Sequence, residues 1–170
     1  MNDTDIKLQE ALFFIELLEA LEKRNDSLTN IADPEREASF LLSAILNSFY
    51  STTELLKETI GNEEVNNFRK MFPLLYNRAD KNGEQKGLRN LTVHVKHVEI
   101  DYKGFIRKKA KLDFRREPKL TKKKGGSCIG SLNFTHYFYL MFDGELERIT
   151  DLCYQHYNQL RLFVENSHRH

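Results

Sequence analysis

Cysteine is scarce in this chain: there are two in 170 residues, Cys128 and Cys153, far apart and in no CxxC pair. The Cys₂His₂ spacing of a structural zinc site is missing, and two lone cysteines fit free thiols in a reducing cytoplasm. No apolar run approaches the roughly 20 residues needed to span a bilayer. The first ten residues, MNDTDIKLQE, are acidic and polar, and read as neither a secretory signal nor a transit peptide. No matched carboxylate cluster suggests a metal nuclease, and there is no internal repeat. These absences point to a cytoplasmic protein without membrane attachment, metal or cofactor. The length predicts one domain over residues 1–170.

What is present is an ordinary core and an uneven charge. The chain is 40% hydrophobic and 30% charged, with a net charge of +1. Residues 1–80 hold 8 Lys and Arg against 15 Asp and Glu. Residues 81–124 hold 15 against 5, and residues 125–170 hold 3 against 5. A basic block inside an otherwise acidic chain marks a candidate polyanion-binding surface.

Apolar spacing predicts a first helix over about Asp3–Arg24, with Ala11, Phe14, Ile15, Leu18 and Leu21 on one face. Asp33-Pro34 opens a second, to about Ile60, striped by Leu41, Ile45, Ser48, Phe49, Thr52, Leu55 and Leu56 and stopped by Gly61. The two are expected to pack as an antiparallel hairpin. A third helix starts near Asn62, with Val65, Phe68, Phe72 and Leu75, and is kinked or ended by Pro73. A short helix is expected from Glu84 to about His97. The period then falls from 3.6 to 2. Residues 98–115 read as an antiparallel hairpin turning at Lys103-Gly104. REPKLTKKKGGS reads as a basic loop, SLNFTHYFYLMF as a third strand, and a last helix as about Glu145–Glu165. The expected architecture is mainly α, with a small basic β insertion over 98–142 before the final helix.

Between the third helix and the insertion lies GLRNLTVHVKH. His94 can take or give a proton near neutrality. Arg89 is always charged and forks onto phosphate. Asn90, four residues before His94, shares its helix face and can orient the imidazole or contact the phosphate. Arg89 lies about 140° around from His94, within reach of a shared ligand through its long side chain. An acid–base group with a charge clamp suits RNA cleavage, because the 2′-hydroxyl supplies the nucleophile. Arg107, Lys108, Lys109, Arg115, Arg116, Lys122, Lys123 and Lys124 would then grip the RNA backbone. Tyr102, Phe105 and Phe114 fit hairpin core better than base stacking.

RNLTVH, with four residues between Arg and His and Asn directly after the Arg, resembles the hallmark of the HEPN superfamily of prokaryotic toxins, phage-defence proteins and RNA-processing enzymes. EREASFLLSAILNSFYSTTELL is similar to the long second helix of these domains. The resemblance covers residues 1–97 and 145–166; the β insertion lies outside the family's common core. It implies a helical bundle in which Arg89 and His94 are catalytic and Asn90 supports them. It also implies metal-independent endoribonuclease chemistry leaving a 2′,3′-cyclic phosphate, and a homodimer whose motifs face across a cleft. Its settings imply RNA as substrate and an antitoxin or nucleotidyltransferase as a possible partner.

Three other readings stand beside this one. Arg89 and His94 are a helix-end arginine and a half-buried histidine in a non-catalytic interaction or nucleic-acid-binding protein on the same fold. His97 forms an HxxH pair with His94, but no third ligand is evident. Arg161 and His168 repeat the spacing without the Asn, running into a tail expected to fray. His136, His156 and Cys153 read as structural.

Overall fold

Asn2 and Asp33 decide where the two long helices begin. In the computed structural model, α1 spans Asp3–Lys23 and α2 spans Pro34–Ile60. The Asn2 side chain accepts from the Asp5 amide (2.8 Å) while the Asp5 carboxylate accepts from the Asn2 amide (3.3 Å), a reciprocal cap. Asp33 accepts from the Arg36 amide (2.8 Å), and Pro34 occupies the first helical position, where no amide is needed. Gly61 ends α2 at φ +87°, its amide donating to Lys57 O (3.1 Å). The structure describes residues 2–24, 26–76, 88, 110–121, 133–142 and 145–168.

α3 (Asn62–Lys70) follows at once, and α4 (Pro73–Tyr76) is a single turn opened by Pro73. Proline therefore separates two helices and kinks neither. Of the helix expected over 84–97, Leu88 alone lies within the described residues, where it is helical and buried. The final helix, α5, spans Ile149–Ser167. It runs antiparallel to α1: Arg148 and Tyr154 bond Glu22 and Glu19 near the end of α1, while His168 meets Asn2 and Asp5 at its start.

Three strands complete the fold: β1 (Ala110–Thr121), β2 (Asn133–Phe142) and β3 (Glu145–Arg148). They form one antiparallel sheet in the order β1-β2-β3. The β1–β2 register runs from Ala110↔Phe142 to Thr121↔Asn133, with an irregularity between Lys111 and Arg115. Two sequence expectations are corrected here. Residues 116–121 are strand, where a loop was expected, because the apolar length of β2 gives their backbone groups partners down to Thr121↔Asn133. Glu145–Arg148 is strand, where the last helix was expected to start. Only Asp143 and Gly144 separate the paired Phe142 and Glu145, and Asp-Gly is a strong two-residue hairpin signal. The described strands therefore carry the β region to Arg148. The hairpin turn expected at Lys103-Gly104 lies outside the described residues.

The core lies where α1, α2, α3 and α5 meet. Ala11, Ile15, Leu18, Ile45, Phe49, Val65, Cys153 and Leu160 are almost wholly buried, and Phe138 brings β2 into the same cluster. Among the described residues no helix is long and apolar enough to cross a membrane.

Candidate functional site

Leu88 is 3% exposed and belongs to the helical core. It immediately precedes Arg89, so the RNLTVH motif begins one residue from a core-packed position. Arg89, Asn90 and His94 lie outside the described residues, as do His97, Arg107, Lys108, Lys109, Lys122, Lys123 and Lys124. Arg115 and Arg116 fall on β1, where the register sets them opposite Tyr139 and Phe138. The alternative pair, Arg161 and His168, does not converge. Arg161 faces Glu165 (3.6 Å), while His168 turns to Asp5 (3.8 Å). Nor is that end frayed, since α5 continues to Ser167.

Several reactive side chains of the described residues are sealed in the core. Cys153 is fully buried, and burial pushes its thiol up to about 12. His156 is buried in a box of rings: Phe49 (4.6 Å between centroids), Phe72 (4.5 Å), Tyr76 (5.2 Å) and Phe68 (5.9 Å). The Tyr76 hydroxyl lies 2.7 Å from His156 Nε2. Burial drives the imidazole down to about 3 and the Tyr76 phenol well above its usual range. Both groups stay neutral at physiological pH, and neither is placed to exchange protons with a ligand. His156 and Cys153 are structural, as their positions on the apolar face of the last helix suggest.

Beside this box, Arg69 is 8% exposed and fully engaged through one edge. Its Nε donates to Thr53 Oγ1 (3.0 Å) and its Nη2 to Glu54 Oε1 (2.7 Å). Its guanidinium lies 4.3 Å from the Tyr50 ring centroid and 5.6 Å from that of Tyr76. Burial alone would raise Glu54, but hydrogen bonds from Lys57, Arg69 and Tyr50 outweigh it and hold the carboxyl at about 2.

A second ionic centre ties the sheet to the helices. Glu22, 1% exposed, accepts from Phe138 N (3.1 Å) through Oε1 and from Arg148 Nη2 (2.5 Å) through Oε2. Arg148 also pairs with Asp151 (3.1 Å) and covers the Tyr137 ring at 4.0 Å. Sequence reasoning missed both centres. Their signal was a charge within an apolar stripe: Glu22 stands four residues after Leu18, and Arg69 four after Val65. Among the described residues, no three His, Cys, Asp or Glu side chains are grouped to hold a metal ion.

No protein-family model matches the chain, and neither a curated protein nor a solved structure matches it.

Proposed function

We propose that the chain is a HEPN-type RNA-binding protein and metal-independent endoribonuclease of a prokaryotic defence or toxin–antitoxin system, acting in the cytoplasm as a homodimer. The observation that carries the reading is the position of RNLTVH directly after Leu88, a helical residue packed in the core. A catalytic group needs rigid support close by, and a motif one residue from a packed helical position has it. The α1–α2 hairpin and the antiparallel α5 agree with the helical layout that the resemblance implies. The basic block over residues 81–124 adds the charge that a polyanion requires.

In this reading His94 accepts the proton of a ribose 2′-hydroxyl. The 2′-oxygen then bonds to phosphorus and the bond from phosphorus to the 5′-oxygen breaks. A proton returns to that oxygen, from the same imidazole or from the one facing it across the dimer. Arg89 carries the charge that builds on the phosphoryl oxygens, and Asn90 holds the imidazole or the phosphate in place. Arg107, Lys108, Lys109, Arg115, Arg116 and Lys122–Lys124 contact the backbone on either side of the cut.

The test is incubation with total RNA in EDTA. Wild-type protein is expected to cleave. His94→Ala, shown by circular dichroism to be folded, is expected to lose at least 100-fold in rate, on the order of what one acid–base group supplies. Equal cleavage by the two proteins removes His94 from the mechanism. RNA binding without cleavage by either protein leaves the non-catalytic reading of the same helical layout.

A further inference from the structure

His156 joins four parts of the fold. It stands on α5 and packs against Phe49 of α2, Phe68 of α3, Phe72 in the bend after α3 and Tyr76 at the end of α4. The Tyr76 hydroxyl bonds no other partner among the described residues, and donating to His156 Nε2 is the arrangement that satisfies its hydrogen. The imidazole then carries its proton on Nδ1, which has no hydrogen-bond partner. Rings surround it: Phe49 and Phe72 meet the imidazole edge to face, at 79° and 72°.

A second proton has no place in this arrangement. It would occupy Nε2, and the Tyr76 hydroxyl would have to turn and accept, leaving its own hydrogen without an acceptor among the described residues. Among the described residues no carboxylate bonds the imidazole to offset the charge. α2 offers Phe49, and its Glu54 is taken by Lys57 and Arg69. α3 offers Phe68 and a cation, Arg69, against the Tyr76 ring. α4 offers the neutral phenol of Tyr76, and α5 surrounds His156 with Cys153 and Leu160 in its own buried stripe.

α4 is the weakest of these elements. It is one turn long, and Leu75 and Tyr76 are held by amides donating to Phe72 O (both 3.1 Å). The chain is tied to the core at Tyr76 and again at Leu88. We propose that the Tyr76–His156 pair is an acid-operated catch: proton uptake by His156 releases α4, and with it the core contact the chain makes at Tyr76. The closed form resists the proton down to about pH 3, because burial depresses the imidazole. The open form takes it with the ordinary histidine affinity, near pH 6.5. Opening is therefore favoured as pH falls below about 6.5, and the closed state is fully favoured above it. The inference stands whether or not the protein cuts RNA.

Amide exchange of Leu75 and Tyr76, followed by NMR on the full chain and corrected for intrinsic rates, reads the catch directly. Between pH 7 and pH 5 the fraction open is expected to rise about 25-fold, the ratio of proton uptake by a free imidazole at those pH values. Amides in the middle of α1 are expected to stay better protected at both pH values, which makes the opening local. In His156→Phe the rise is expected to vanish. An unchanged open fraction, an equal rise in His156→Phe, or α1 amides no better protected overturns the proposal. The wild-type imidazole gives a check free of any folding defect. If His156 titrates near pH 6.5 while Leu75 and Tyr76 remain protected, the catch does not exist.

Discussion

Three donors converge on the Glu37 carboxylate: the amides of Leu28 (2.6 Å) and Thr29 (2.7 Å), and the Thr29 hydroxyl. Burial would raise this carboxyl, but the hydroxyl and the two amides lower it further, so the charge is held and the α1–α2 loop is pinned to the start of α2. Glu22 does the same between distant parts of the chain, joining the end of α1 to β2 and to Arg148. Removing it takes a buried carboxylate acceptor from the Phe138 amide and the main partner from a partly buried guanidinium. Glu22→Ala is expected to cost about 3 kcal/mol in chemical denaturation, and Glu22→Gln less, since the amide oxygen still accepts from Phe138 N. A loss under about 1 kcal/mol for the alanine variant would show that the sheet does not depend on this link. At this scale the apolar residues were legible, because their spacing reports burial directly. Glu22, Glu37 and Arg69 were not, because a charge can stand on a buried stripe only with partners contributed by distant segments, and a one-dimensional pattern does not show them.

Both ends of α2 and the starts of α1 and α3 were legible because their signals are local. Asn2 and Asp33 cap with their own side chains, and Gly61 takes a backbone conformation that suits glycine. Gly61 at φ +87° has nothing within 4 Å of an added Cβ, so the cost of a side chain there is conformational alone. Gly61→Ala is expected to lower stability by about 1–3 kcal/mol, and Gly61→Asn by a similar amount, because φ +87° with ψ 166° lies in a region that essentially glycine alone adopts, outside the left-handed helical region asparagine visits. Equal stability of wild type and Gly61→Ala in thermal unfolding would contradict the cap geometry. The boundary between β3 and α5 was not legible by helical period alone. Glu145–Arg148 continues the amphipathic spacing of α5, yet it pairs antiparallel with β2 first, from Phe142↔Glu145 to Tyr139↔Arg148. Likewise residues 116–121, rich in charge, become strand because β2 supplies partners for their backbone. Strand pairing is non-local, and local charge does not forbid it.

Across the whole molecule, the sequence order of charge maps onto architecture. The acidic residues 1–80 contain the α1–α2 hairpin, α3 and α4, and the basic residues 81–124 contain the RNLTVH motif and β1. The mainly α layout with a small antiparallel sheet before the last helix followed from the change of apolar period. The candidate site was legible as residue types and spacing, while the convergence of Arg89, Asn90 and His94 on one pocket is a three-dimensional matter that spacing does not fix. If these residues act as proposed, cleavage requires a 2′-hydroxyl and no metal. The most direct measurement is end-group analysis of matched RNA and DNA strands incubated with the protein in EDTA. RNA alone is expected to be cut, leaving a 2′,3′-cyclic phosphate and a 5′-hydroxyl, and His94→Ala is expected to leave it intact. Cleavage of the DNA strand, or RNA products bearing a 5′-phosphate, would contradict the proposed chemistry.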